Sequence, residues 1–509
     1  MRKNYFKTLT EIDQTIEAIF DASPFVLIHV GDGRLCDRKE RRSRFKDDAS
    51  FYELVSSMSL VPDTDNIKKV VERYFLYVMF SHTWDEYEPS FSDVSGKSVY
   101  DIQNEKLRKF CETVRKDYGS YRWSWSDTCC IDKQDSDLYQ KSIRFMYKWY
   151  NNSALTLVVL ANPSMSTPFN SPNLEHNRWM FRAWTLQELL APRVIRFYDH
   201  KWQLYLHDDN INHKTSPKIK PELARAIGVK EDALIHFYPE LLPVRTRLRL
   251  ASTRKATVKV DIAYSLIGIF SSDIPVEYAC EAEVALGRLL QECVNRQVDV
   301  TVLDWVGKSS TFNSSIPADI SVYSQPAYEL PSITDDELDK RAEVLRHTLP
   351  EQEITQFYRN LLALGLPRFS DRRLSLPCIT FFVTSIKPDT SNSASDQSAY
   401  VASTAALGEF TFKTEDTSFS ELRQGSVVLV YPWIRDLLAK IYHRGGDELI
   451  EGSRLIVYLE HGFKALLFTE QFRQQYRRVA TDGEIAVPAH EWRSLKGISL
   501  EVLEVWETL

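Results

Sequence analysis

The side chains best placed to act on a ligand lie at the ends of apolar runs. Ser81 and His82 follow FLYVMF (75–80), while Asp127 ends YRWSWSD (121–127), with Cys130 and Asp132 just beyond. As parallel strands, both runs would bring these groups to the carboxyl edge of one sheet, where open α/β sheets hold ligands such as nucleotides. Glu188 follows Trp184 by four residues, so indole and carboxylate share a helical face, and the apolar neighbour would desolvate and strengthen the charge. Trp84 or Trp125 offers a ring for stacking on a base, and Arg182 a guanidinium suited to bidentate pairing with phosphate. Each residue also has an ordinary reading. Glu188 alone reads as a surface or salt-bridged helix glutamate, Ser81 and His82 as capping and turn residues, and Asp127 and Asp132 as helix caps. Trp84, Trp125 and Trp184 read as core, Arg182 as a loop anchor, and Cys129 and Cys130 as small buried hydrophobes.

These groups need a scaffold. FLYVMF and ALTLVVLA (154–161) are unbroken apolar runs of strand length, as strands buried on both faces must be. YRWSWSD and VIRFY (194–198) read as two more strands. Between them, Leu107, Phe110, Cys111 and Val114, and then Ile143, Met146, Tyr147 and Tyr150, repeat with the spacing of one helical face. A third helix is expected from about Asn177 to Leu190, ending before Pro192. This alternation implies an α/β fold: a parallel sheet joined by right-handed crossovers, with helices on both faces.

From about 205 to 300 the chain reads as mainly helical, including DIAYSLIGIF (261–270) and EAEVALGRLLQECV (281–294). Beyond 300 it turns β-rich, with CITFFVTSI (378–386), SVVLVYPW (426–433), RLIVYLE (454–460) and ISLEVLEVW (498–506) expected as strands. KPDTSNSASDQSA (387–399) reads as a flexible loop, and the basic run from Arg38 to Lys46, broken by Glu40, as a solvated loop. The organisation expected is an N-terminal helical and strand extension (1–74), an α/β core (75–200), its helical extension (201–304) and a β-rich C-terminal domain (305–509) whose role stays open.

Composition narrows the function. At 509 residues the chain exceeds one core, and 43% hydrophobic with 26% charged residues excludes disordered and fibrous classes. A net charge of -7 speaks against nucleic acid or an anionic membrane as partner. Seven scattered cysteines without a CxxC pair point away from disulfides and zinc and toward a reducing compartment. With neither a secretory h-region nor a long apolar run, the expected location is cytoplasmic. HExxH, P-loop, G-x-S-x-G and G-x-G-x-x-G motifs are missing, and the histidines lack metal spacing, so neither metal nor bound cofactor is expected.

Four stretches together resemble the fungal heterokaryon-incompatibility (HET) domain family: YVMFSHTW (77–84), WSDTCCIDKQD (125–135), FRAWTLQELLAPR (181–193) and RKATVKVDIAYSLIGIF (254–270). Asp127, Cys130, Ile131, Asp132, Gln134, Met146, Tyr150, Ala154, Arg182, Trp184, Thr185, Gln187 and Glu188 match its pattern. Lys133, inserted between Asp132 and Gln134, departs from it, as does the stretch Tyr278, Ala279, Cys280, Glu281 where many relatives carry Y-G-E-G. HET domains are in turn similar to TIR domains, a flavodoxin-like fold of immune signalling. FLYVMFSH resembles their opening strand, and RAWTLQEL resembles their W-C-x-x-E-L helix, which carries the glutamate that catalytic members use to cleave NAD.

The resemblance implies a flavodoxin/TIR-like parallel sheet with flanking helices, and Glu188 as the catalytic carboxylate. Ser81, His82, Trp84, Asp127, Asp132, Arg182 and Trp184 would line the substrate. The implied role is that of a fungal innate-immunity or incompatibility effector that triggers programmed cell death by hydrolysing NAD, or a related nucleotide, at the nicotinamide–ribose bond. Self-association or a protein partner is also implied. This cleavage can dispense with a general acid, because nicotinamide leaves neutral, and one positioned carboxylate can stabilise the oxocarbenium-like ribosyl centre. The competing reading is a non-catalytic self-association module in which Glu188 is structural.

Overall fold

A six-stranded sheet organises the first of two units into which the chain divides, Met1–Leu241 together with Arg254–Val276. The computed structural model describes residues 2–56, 63–161, 173–235, 237–389, 399–416, 426–441, 446–472 and 474–506. The strands are β1 (Leu27–His29), β2 (Arg34–Cys36), β3 (Tyr77–His82), β4 (Trp123–Trp125), β5 (Leu155–Val159) and β6 (Ile195–Tyr198). Their spatial order is β2-β1-β4-β3-β5-β6. β3 pairs in parallel with β4 and β5, and β5 with β6. β1 and β2 add an antiparallel edge supplied by the N-terminal residues.

The apolar runs follow from this topology. Every residue of β3 and β5 is buried, so neither strand shows polar alternation. The chain lays β4 on one side of β3 and then crosses over to lay β5 on the other. The winding therefore reverses between β3 and β5, and in doubly wound sheets ligands bind at the carboxyl ends beside such a reversal. Ser81 and His82 sit there, in register with Val158 and Val159 of β5.

The crossover helices match their periodicity. Glu105–Asp117 is capped by Asn104, which accepts the Leu107 amide, and buries Leu107, Phe110, Cys111 and Val114. Ser136–Asn152 is capped by Asp135 and buries Ile143, Met146 and Tyr150 as expected, with Trp149 buried as well and Tyr147 only half-buried. The expected third helix is broken in two. A 3-10 turn at Arg178–Phe181 is followed by extended backbone at Arg182, and the α-helix proper is Thr185–Leu190. The break is tertiary, because Lys255 donates its amide to the Phe181 carbonyl at 2.6 Å and accepts the Ala183 amide at 2.8 Å.

Three other expectations need correction. The basic run is a helix, Arg38–Lys46, with a capping box at Asp37 and Glu40; Arg41 is fully buried, its guanidinium 4.6 Å from the centre of the Phe20 ring. DIAYSLIGIF is helical only over Asp261–Tyr264. RLIVYLE is the end of a helix, Glu448–Glu460, whose residues from Glu451 to Leu459 are all buried.

The second unit, Leu242–Thr253 with Glu277–Leu509, is dominated by a nine-stranded sheet. Its strands are β7 (Arg368–Ser370), β8 (Arg373–Pro388), β9 (Ala399–Thr404), β10 (Gly408–Lys413), β11 (Val427–Tyr431), β12 (Phe463–Phe472), β13 (Gln475–Arg478), β14 (Ile485–Val487) and β15 (Ile498–Val505). β15 pairs with both β13 and β8, so β8, β11, β12, β13 and β15 close into a ring, the β13–β15 seam being the short one, where Gln475 pairs with Glu504 and Tyr476 with Val505. The expected loop at 387–399 overlaps β8 and β9 at its ends, and its centre, 390–398, lies outside the described residues.

Candidate active site

At the carboxyl end of β3, the Ser81 hydroxyl donates to Oε2 of Glu188. The Ser81 hydroxyl oxygen in turn accepts the Trp179 indole N–H at 2.8 Å. Since an indole nitrogen only donates, the serine proton is directed at the glutamate and the three side chains form one oriented chain. Glu188 is 6% exposed and Ser81 1%.

Burial pushes the Glu188 carboxyl up to about 8, and the nearby charge of Asp127 adds to the effect. The Ser81 hydrogen bond and the cations Arg182 and Arg254 work in the opposite direction. Near neutral pH this carboxyl is therefore mostly protonated, and it ionises as pH rises through about 8.

The helix carrying Glu188 is held at both ends by buried cations. At its start, Arg254 Nη1 donates to the Arg182 carbonyl at 3.0 Å and to Thr185 Oγ1 at 2.9 Å. Thr185 Oγ1 reaches the Trp179 and Arg182 carbonyl oxygens at 2.5 and 2.9 Å. Burial brings the Arg254 guanidinium down to about 9, with Glu188 opposing that shift. At the far end, Lys214 Nζ donates to the carbonyls of Leu190 (3.1 Å) and Pro192 (2.5 Å), and burial lowers it to about 7.

Nearer the surface, the Trp84 indole donates to Asp127 Oδ2 at 2.8 Å. Trp84 is 37% exposed, while Asp127 and Arg182 are half-buried. Lys133 Nζ lies 4.3 Å and Arg182 Cζ 5.9 Å from the centre of its ring. Glu188, Ser81, Asp127, Arg182 and Trp84 are thus linked by hydrogen bonds or direct electrostatic influence.

Other named residues are engaged elsewhere. His82 is buried and stacks on Phe80 with centroids 4.3 Å apart, its Nε2 3.4 Å from Glu88 Oε2. Burial would raise the Glu88 carboxyl, but His82 and Lys106 together bring it down to about 2. Asp132 accepts the Gln134 amide at 2.9 Å in a local turn. Trp184 is half-buried at the helix start and its carbonyl accepts the Glu188 amide. Trp125 is fully buried, edge-on to Trp149 and Tyr150. Cys129 and Cys130 are buried free thiols.

Trp179, Arg254, Glu88 and Lys106 were not singled out from sequence. Only Arg254 had a signal, as the first residue of RKATVKVDIAYSLIGIF. Among the described residues, no group of three or more His, Cys, Asp or Glu side chains could hold a metal, and no helix is long and apolar enough to cross a membrane.

The family model described as Heterokaryon incompatibility protein (HET) matches residues 77–173, from β3 through β5. The chain carries a HET domain. A curated relative, the vegetative incompatibility protein HET-E-1 of Podospora anserina, is 31% identical over 225 residues. That similarity covers 42% of this chain and 16% of the relative. No solved structure matches the chain significantly. The family match contributes Ser81, Trp84 and Asp127 to the HET domain and stops short of Glu188, which joins them through the fold.

Proposed function

We propose that the chain is an incompatibility effector that triggers cell death, and that its HET domain hydrolyses NAD at the nicotinamide–ribose bond with Glu188 as the catalytic carboxylate. The role in incompatibility is supported by the HET domain and by the relative's name. The chemistry rests on one observation, the contact of Ser81 with Glu188 at the reversal point of the sheet.

In this reading NAD enters with its nicotinamide ring cationic. That positive charge, and the oxocarbenium-like ribosyl centre that follows, favour the ionised form of a carboxyl already poised near pH 8. Ser81, oriented by Trp179, steadies the carboxylate. Nicotinamide leaves neutral, water adds to the ribosyl carbon, and the water's proton passes to solvent.

The test is to incubate purified protein with NAD, with and without crowding agents that favour assembly, and to follow nicotinamide release. Release by wild type and its loss in Glu188→Ala are expected, together with loss of cell toxicity. No release under any condition, with Glu188→Ala still toxic, would replace this reading with signalling by self-association.

A further inference from the structure

We propose that Lys133 and Arg182 together form a clamp for the diphosphate group of a nucleotide beside Trp84, with Lys133 setting the requirement for that group. This rests on the nucleotide reading above and adds the part of the ligand that this chain recognises. Lys133 is one of the positions at which the chain departs from the family pattern, and nothing in the resemblance gives it a task.

Neither Lys133 nor Arg182 forms an ion pair among the described residues, although acidic side chains outnumber basic ones in the chain. Both cations lie beside one indole, at 4.3 and 5.9 Å from its centre. Two like charges sharing one ring repel each other, and a bound anion relieves that repulsion. Their separation cannot exceed the total of those two distances. A single diphosphate, making a charge-assisted hydrogen bond of about 2.8 Å at each end, can bridge it.

The ring beside them is held in place. Lys106 Nζ donates to the carbonyl of Thr83 at 2.9 Å, to Asp85 Oδ2 at 2.8 Å and to Glu88 Oε1 at 2.5 Å. It thereby fixes the residues on both sides of Trp84. Asp127 fixes the indole N–H at 2.8 Å. An exposed tryptophan restrained at its backbone and its ring nitrogen is a preorganised surface on which a base can stack. An aromatic base with an attached diphosphate fits this combination, whereas a nucleoside without phosphate offers neither cation an anionic contact.

The experiment is calorimetric titration of the full chain with ADP, inorganic pyrophosphate and adenosine, none of which carries nicotinamide. Wild type is expected to bind ADP about tenfold or more tightly than adenosine, the effect of one charge-assisted contact or more. Lys133→Ala, at an exposed position, should remove most of that advantage without changing adenosine binding, and Lys133→Arg should restore it. Pyrophosphate should compete with ADP. The proposal is overturned by absence of ADP binding, by ADP and adenosine binding alike, or by Lys133→Ala binding ADP as wild type does. Lys133-dependent ADP binding in a protein that never releases nicotinamide would sink the hydrolase reading and leave the clamp standing.

Discussion

Ser81 and Glu188 are 107 positions apart in the chain, yet the serine hydroxyl donates directly to the glutamate carboxyl. Removing that hydroxyl strands two buried groups at once, the Trp179 indole N–H and the Glu188 carboxyl. Ser81→Ala should therefore lower stability by about 1–3 kcal/mol, measured by urea unfolding. It should also raise the Glu188 carboxyl further, since the lost hydrogen bond favoured the ionised form. Carbon-detected NMR of labelled glutamate would read this, and an unchanged or lower value would contradict the contact.

Stability should depend on pH through the same residue. The ordinary glutamate value of 4.5 applies to the unfolded chain, and folding raises it to about 8. Folding then favours the protonated form, so the contribution of Glu188 is fully present below about 4.5, declines as pH rises toward 8, and stays level above. Glu188→Gln cannot ionise and escapes that decline. Its stability relative to wild type should rise by roughly 2–5 kcal/mol between pH 4.5 and 8. Thermal unfolding of the two proteins across that range checks this, and parallel curves would contradict it.

Thr185 ties Arg254 to the start of the Glu188 helix. Thr185→Val keeps the shape but removes the oxygen that Arg254, Trp179 and Arg182 share. A loss of about 1–3 kcal/mol is expected, with much of it recovered in Thr185→Ser. Equal unfolding midpoints for wild type and the valine variant would show that this oxygen contributes nothing.

The core of the fold was legible because burial on both faces leaves a plain trace, an unbroken apolar run, at β3 and β5. The same trace misled at 454–460. There a helix is buried from Glu451 to Leu459, and full burial removes the helical period as well as the strand alternation. Glu188 and Ser81 could be brought together from topology, since strand ends and the following helix share one edge. Trp179 and Arg254 could not. The break at Arg182 that turns Trp179 toward Ser81 depends on backbone pairing with Lys255, more than seventy positions away, and no proline or glycine marks it. The helix at Arg38–Lys46 hid for a related reason: its charges describe a solvated surface, while Arg41 is buried by stacking on Phe20.

The most direct measurement is the pH dependence of nicotinamide release from NAD, taken from pH 6 to 9 for wild type and Glu188→Gln. A carboxylate that must be ionised to act, on a group poised near 8, gives release that climbs with pH through that value in wild type and is lost in the glutamine variant. Release that is flat across the range, or that persists in Glu188→Gln, would contradict a catalytic Glu188.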